Sequence, residues 1–461
     1  MAMFCDHVFL SRLQFAFTTM FHINYPLLSI GLSIFLVVTE ALWLKTKDPA
    51  YYHQTRFWSK LFLLNFAVGV ASGIPLEFQF GTNWSLFSIA THGFFGNILG
   101  FEGTLAFMLE AGFLSIMLFG WKRVSPRMHF FSTCMVAFGA SLSAFWIMVA
   151  NSWMQTPAGG SWVNGRYIIE SYWQGIFNPD LPWGFSHMWV ACIETTLFVV
   201  GGLSAWYIWE NRHADFFLKS FKLAIVAAII LTPVQIWLGD VSGRIVAQYE
   251  PAKLAGMEAH WETNPPGQGA DWTLMAWPDT ANQKNSWTFL SIPDGLSLLV
   301  AHSFSGQVKG LRDFPREDQP PILIPYYSFR IMIGIGFAMF ALMLWTLWVW
   351  YKKRLTAELL PRQKWLLWSW IAFIPLSYIA VQTGWLTREV GRQPWIIYGI
   401  MRTKDGASPL PVGAVSTSLI FYLVIYTVLF LTLLFFAWRI IKQGPDLAAS
   451  PPGGSHDTGG K

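Results

Sequence analysis

Apolar and polar residues fall along this chain in long blocks, with no helical or strand period running through them. Stretches of some twenty or more residues with few charges are separated by short segments carrying Lys and Arg. A hydrocarbon core about 30 Å thick is crossed by roughly 20 helical residues, so the blocks predict about nine transmembrane helices. They fall at roughly 15–42, 57–79, 92–120, 128–151, 184–208, 217–239, 325–351, 364–385 and 411–439. An odd count puts the termini on opposite sides. The segments after the first, third, fifth and seventh helices hold Lys45, Lys47 and Arg56; Lys122, Arg123 and Arg127; Arg212, Lys219 and Lys222; and Lys352, Lys353, Arg354, Arg362 and Lys364. The positive-inside rule makes these cytoplasmic and places the N-terminus outside. Residues 1–15 lack a basic region followed by an apolar core and a small-residue cleavage site, so no removable signal is predicted.

Two polar segments interrupt the pattern on the outer side, 151–182 and 240–324. The chain therefore divides into 1–239 (six helices), 240–324 (an extracytoplasmic loop), 325–442 (three helices) and 443–461. That last segment is small, polar and rich in Pro and Gly, the composition of a disordered cytoplasmic tail. The long loop holds one helical candidate, 251–263, opened by Pro251. Arg388, Arg392, Arg402 and Lys404 break the charge rule on the outer side and call for a local anionic partner. No internal repeat of the transporter kind is present.

Composition agrees with the block pattern. The 461 residues are 54% hydrophobic and only 12% charged, against about 25% charged in soluble domains, and the mean hydropathy is +0.40. The chain reads as an all-α integral membrane protein. Its formal charge of +5 is accounted for by basic segments flanking spans, so no nucleic-acid partner is implied. Cys5, Cys134 and Cys192 form neither a disulfide framework nor a paired metal motif. The 26 Trp suit interfacial belts and the walls of a flat apolar cofactor.

The third span carries two acids, Glu102 and Glu110. A carboxylate at membrane depth costs about 2.5–3.5 kcal/mol on insertion scales, so such groups face cavities and serve ions, protons or cofactors. Eight residues apart, the two lie about 12 Å apart along the helix on neighbouring faces. At a shared depth in the outer half lie His22 on the first span, Glu102, His187 at the head of the fifth, Met332 near the start of the seventh, and Glu389 after the eighth. Taken singly, His187 reads as an interfacial histidine, Met332 as core filler and Glu389 as a carboxylate paired to Arg388 or Arg392. Histidine with methionine is also a familiar axial pair for a low-spin heme, and a heme held by one histidine or carboxylate keeps a face open for a small ligand. Arg330 and Arg392 are placed to answer heme propionates; the bland alternative is snorkelling.

Six stretches carry a family resemblance: SRLQF (11–15) with His22, GFEG around Glu102, NSWMQ (151–155), Lys253 to Glu258 with WET after it, SFRIM (328–332) and GWLTREVGRQPW (384–395). Together they resemble subunit I of the cytochrome bd-type quinol oxidases, and the likeness runs through essentially all nine spans. The resemblance implies two four-helix bundles plus one extra helix, with the long loop as a quinol loop. It implies His187 and Met332 as axial ligands of a low-spin heme b. His22 and Glu389 would each hold one member of a di-heme pair, a high-spin heme b and a heme d, with Glu102 beside or on the iron held by His22. Trp385 would stand between low-spin and high-spin centres, and Lys253 and Glu258 would serve quinol oxidation. Glu110, with Ser143 and Asn151, would carry protons inward from the cytoplasm. The loop lacks a long C-terminal insertion, like the short-loop branch. Some of that branch resemble cyanide-insensitive oxidases, in which a further heme b replaces heme d.

The implied function is a terminal respiratory oxidase of the bacterial cytoplasmic membrane. It would oxidise membrane quinol and reduce O2 to water through three hemes, with protons taken from the cytoplasm and released outside to build a proton-motive force. The implied partners are subunit II, small single-span subunits, quinol and the lipid bilayer. Two other readings of the residues remain: a heme-bearing quinol dehydrogenase without O2 reduction, and a proton-coupled transporter using Glu102 and Glu110.

Overall fold

The structure, a computed structural model, describes residues 6–452. Among them are nine helices long and apolar enough to cross a membrane: His7–Thr46, Pro49–Thr82, Ser85–Phe119, Pro126–Gln155, Leu181–Trp209, Ala214–Tyr249, Leu323–Tyr351, Lys364–Gly391 and Val412–Gln443. They are called helices one to nine below. Cys5 and the end of the expected tail, 453–461, lie outside the described residues.

Local chemistry sets the boundaries. Asp6 caps helix one by accepting from the Val8 amide, and Lys47 closes it in the left-handed conformation. Asp48 then caps helix two through the Ala50 amide with Pro49 in its first turn, so a two-residue link reverses the chain. Ser125 with Pro126 starts helix four in the same way. These are the preferred N-terminal residues because a side-chain oxygen takes an amide that has no helical partner, and proline has no amide to satisfy.

Helix packing follows the expected plan of two four-helix bundles and one extra helix. Helix one packs on two and four, and four on three; helix five packs on six and eight, and seven on six and eight. Helices one and five join the bundles, while helix nine lies against one and two. Between lipid-like surfaces close backbone approach drives association, so small residues mark the crossings. A methyl group on Gly31 would meet the Cys192 carbonyl at 2.6 Å where helices one and five cross. The largest core cluster (Phe35, Trp58, Phe62, Phe198, Phe221 and Trp370 among others) spans both bundles. A second aromatic cluster, with Trp84, Phe87, Phe94, Trp153 and Tyr167, gathers where the loop after helix four meets helices three and four.

Helix three is not a regular α-helix. Two segments, His92–Gly96 and Glu102–Phe107, form π-helical turns. Such wide turns cost backbone regularity and recur at functional sites; the second opens on Glu102.

Several expected boundaries move. Helix six runs to Tyr249, so the division expected at 239/240 falls inside a helix. Helix eight runs to Gly391, which puts Glu389 in its last turn. Helix four runs to Gln155, carrying Asn151 with it. In helices four and eight a polar last turn hides the end from hydropathy while its residues bond inside the protein; in helix six the stretch that hides it is Asp240 to Arg244, whose two charged ends pair with each other. The loop helix is Pro251–Glu258, shorter than 251–263. The loop also holds an antiparallel hairpin, Trp272–Asp279 with Lys284–Ile292. Its second strand is exposed on both faces, so no inside/outside alternation announces it.

Candidate functional site

The polar residues of interest gather at one end of the bundles, where the loop helix Pro251–Glu258 packs on helices six, seven and eight. Helices five and seven each pack chiefly on six and eight, which sets them diagonally across their bundle and puts His187 and Met332 on opposite walls. Both stand beside glycine. A methyl group on Gly239 of helix six would reach His187 Cε1 at 3.4 Å, and one on Gly384 of helix eight would reach Met332 Sδ at 2.9 Å. His187 Nε2 is 3.5 Å from Gln235 Nε2, and the buried His187 Nδ1 has no partner.

In the other bundle His22 Nδ1 meets Ser72 Oγ at 3.0 Å, and its ring lies against Gly73. One turn further along helix two, Glu77 hydrogen-bonds Glu102 of helix three. Glu102 also accepts from Ser143 of helix four at 2.5 Å. His22 and Glu102 thus meet neighbouring turns of helix two. Glu110 is buried, and its backbone fits against helix four because Gly139 has no side chain there. Along helix four, Gly139, Ser143 and Asn151 in turn face Glu110, Glu102 and Glu389.

Glu389 sits in a dense network. It accepts from Asn151 at 2.8 Å, from Gln155 at 3.2 Å and from Arg392 at 2.5 Å. Asn151 also accepts from Arg388 at 2.6 Å, and Arg388 pairs with the buried Asp180. Lys253 donates to Gln155 at 3.0 Å and to Glu250 at 3.2 Å, which links the loop helix to the Glu389 cluster. Burial pushes the Lys253 ammonium below its ordinary value, more than Glu250 holds it up. Burial likewise raises Glu250 against the pull of Lys253. Asp180 goes the other way: its burial is outweighed by Arg388.

Glu258 does not join Lys253. It accepts from Arg330 of helix seven at 2.7 Å, and Arg330 also donates to the Leu274 and Thr273 carbonyls of the hairpin at 3.0 and 2.9 Å. Arg330 packs on Trp272 and Tyr326. One guanidinium therefore ties loop helix, hairpin and helix seven together. Burial raises the Glu258 carboxyl despite Arg330. Trp385, one turn before Glu389, packs against the aromatic cluster at this end.

The donor set fits heme on three counts. Met332 and His187 supply a thioether and an imidazole from opposite walls, each beside a glycine that leaves room. Arg392 Nε and Nη1 and Arg330 Nη1 are buried without partners, free for carboxylates such as propionates. His22 on helix one and Glu389 on helix eight have separate surroundings, so each offers a single donor. No group of three or more His, Cys, Asp or Glu that would hold a bare metal ion occurs among the described residues, whereas heme iron needs only one or two protein ligands.

The sequence reading missed Glu77, Gln235, Glu250 and the Asp180–Arg388 pair. Glu77 falls in the second span, where the argument used for Glu102 applies equally. Asp180 and Arg388 lie far apart in the chain, and nothing local announces their pairing.

These features define a helical membrane protein with part-buried and buried histidine, methionine and carboxylate side chains on separate helices and a docked polar loop. Comparison with known proteins makes the class specific. The family described as "Cytochrome bd terminal oxidase subunit I" matches residues 10–445. Cytochrome bd ubiquinol oxidase subunit 1 of Bacillus subtilis is 37% identical over 447 residues, covering 95% of this chain and 94% of that one. Cytochrome bd-II ubiquinol oxidase subunit 1 of Escherichia coli is 32% identical over 512 residues, covering 96% and 98%. The solved bd oxidase from Geobacillus thermodenitrificans superposes with a TM-score of 0.87 at 30% identity, covering 96% and 99%. The chain belongs to the cytochrome bd terminal oxidase subunit I family.

Proposed function

We propose that this chain is the subunit of a respiratory quinol:oxygen oxidoreductase that carries quinol site and hemes together. A low-spin heme b would be held by His187 and Met332, and a high-spin heme b and a heme d, or a further heme b, by His22 and Glu389. These groups supply one-electron storage and an open coordination position for oxygen. The residues of the chain do the rest. Arg330 holds the loop helix and the hairpin over helix seven, making a roof under which quinol binds. Lys253 is the buried cation there that orients a quinol oxygen, and Glu250 and Glu258 are the carboxylates that take up the quinol protons. Arg392 fixes the Glu389 carboxylate and keeps two N–H groups for a propionate. Trp385 fills the space between the two ligand regions.

Glu110, Glu102 and Ser143 form a proton track through the first bundle. The π-turn Glu102–Phe107 lies between the two acids, so the regular α-helical rise of about 12 Å does not apply to them, and they face Gly139 and Ser143, one turn apart on helix four; Glu77 and Ser143 extend the Glu102 end of the track. With the basic turns facing the cytoplasm, the N-terminus lies outside and the ligand end faces outward. Protons from quinol then leave on one side while protons for water come from the other. Each charge so separated across 100 mV stores about 2.3 kcal/mol. The apolar outer surfaces of helices three and nine suit lipid, the second subunit with which subunit I of a bd oxidase works, and small single-span subunits.

The observation that carries this reading is the placement of His187 and Met332 on diagonal helices, each against a glycine. The test is oxygen uptake by the purified complex with reduced quinol, comparing wild type with Met332→Leu. Loss or shift of the low-spin heme spectrum together with slowed uptake supports the reading, and an unchanged reduced-minus-oxidised spectrum refutes the ligand assignment. A carbon-monoxide difference spectrum separates an oxidase from a quinol dehydrogenase that reduces no oxygen.

A further inference from the structure

A second polar column lies below the His187 site and has no part in the track through Glu110 and Glu102. On helix five, Glu194 follows His187 by seven residues, which puts it about 10 Å further in and on nearly the same face. On helix six, Thr232, Gln235 and Gly239 form the facing stripe. Gly239 and Gln235 stand against His187, and Thr232 stands against Glu194. Glu194 is only 4% exposed and Thr232 2%. Thr232 is the side-chain hydrogen-bonding neighbour of the Glu194 carboxyl, while His187 Nδ1 and Gln235 Oε1 further along the stripes are buried without a partner. Buried polar atoms left unmatched in one file are the setting for ordered water, and a carboxyl at membrane depth met by a hydroxyl and by no basic side chain is a functional group by default.

Charge is absent around Glu194. Among the described residues no basic side chain pairs with it. On the neighbouring face of helix five, Cys192 faces Tyr378 of helix eight and contacts Met188. From helix one, Thr196 is met by backbone carbonyls only, and from helix four Ser141 bonds Trp189. At the ligand end Arg388 acts on His187, and beyond Gly239 on helix six Asp240 pairs with Arg244. A change of charge at the His187 and Met332 centre therefore has no compensating group along this column other than the Glu194 carboxyl.

The geometry points to Glu194 as the proton-loading group of the His187/Met332 centre: an electron arriving there from quinol is matched by a proton bound at a Glu194 carboxylate oxygen, delivered by water along the Thr232–Gln235 file. When the electron moves on, the proton leaves. One electron and one proton enter, one of each departs, and quinol is the reductant. The assignment rests on the heme reading of His187 and Met332 given above.

The test uses the purified oxidase complex in a spectroelectrochemical cell. The midpoint potential of the low-spin heme is followed from acid to alkaline pH, with infrared difference spectra of the carboxyl region. In wild type the potential falls as pH rises, and a carboxyl band appears on reduction. Glu194→Gln should abolish that band and flatten the slope, while Glu194→Asp keeps both. Thr232→Val should shift the band and leave the heme content intact, so the idea stays testable if Glu194→Gln fails to assemble. A Glu194→Gln enzyme with the wild-type slope and band overturns the proposal. So does a Thr232→Val enzyme whose band does not move. Absence of a low-spin heme from wild type would instead sink the ligand reading beneath it.

Discussion

Replacing Gly384 by alanine tests the placement of Met332 without touching either axial side chain. The new methyl carbon would lie 2.9 Å from Met332 Sδ, whereas ordinary non-bonded contact is about 3.5–4.0 Å. One of the two must move by about 0.6–1.1 Å. Gly384 is fixed in the backbone of helix eight, so the flexible thioether gives way. Overpacking of this kind costs about 1–3 kcal/mol if the side chain is held in place, which favours the displaced rotamer by about 5- to 150-fold. The helix itself gains slightly, because alanine is a better helix former than glycine by about 0.5–1 kcal/mol. Gly384→Ala should therefore yield a folded complex whose low-spin heme loses methionine ligation in most molecules, with a lowered potential and an altered reduced-minus-oxidised spectrum. Gly336→Ala, on helix seven where nothing lies within 4 Å, is the control and should change neither. A Gly384→Ala complex with wild-type spectrum and potential would refute the argument.

Other outcomes follow from the same contacts. Glu110→Ala should cut oxygen uptake by about 100-fold or more, the range for removing a proton-transfer group, while heme spectra stay intact; normal uptake would remove Glu110 from the proton track. Arg330→Leu leaves Glu258 buried without its partner, a loss of about 3–5 kcal/mol, so the loop should become sensitive to limited proteolysis and quinol KM should rise. Intact protease resistance would show that the loop is held by something else. Because burial holds Lys253 below the ordinary lysine value, the neutral form appears at lower pH than for a free lysine. The alkaline limb of kcat/KM for quinol should fall correspondingly early, and Lys253→Arg should push it upward; a limb that stays put in that variant assigns the titration elsewhere.

Much of the fold was legible because the bilayer imposes length and apolarity on every span. All nine helices were visible as blocks, and only their polar ends were misplaced. At 240–244, 386–391 and 152–155 the helices carry polar residues that hydropathy reads as loop, although in the protein they belong to continuous helices. The hairpin was hidden for the opposite reason: its second strand has no buried face to leave a period. Among site residues, Glu102 and Glu110 announced themselves by being acids in an apolar run. His22, His187 and Met332 gained meaning only together, through shared depth and the motifs around them. The partition of the loop into a Lys253–Glu250–Gln155 arm and a Glu258–Arg330 arm depends on long-range contacts, whereas the family resemblance implies only a shared role for Lys253 and Glu258 in quinol oxidation. Asn151 likewise belongs with Glu389 and Arg388, at the far end of the helix-four face that begins beside Glu110.

The central claim is that His187, Met332, His22 and Glu389 hold porphyrin iron at one end of the bundles. A pyridine hemochrome assay on the purified complex measures it most directly, because heme type and stoichiometry come from one spectrum. The account predicts three hemes for each copy of this subunit, with heme b among them. A correctly assembled complex containing no porphyrin would contradict it.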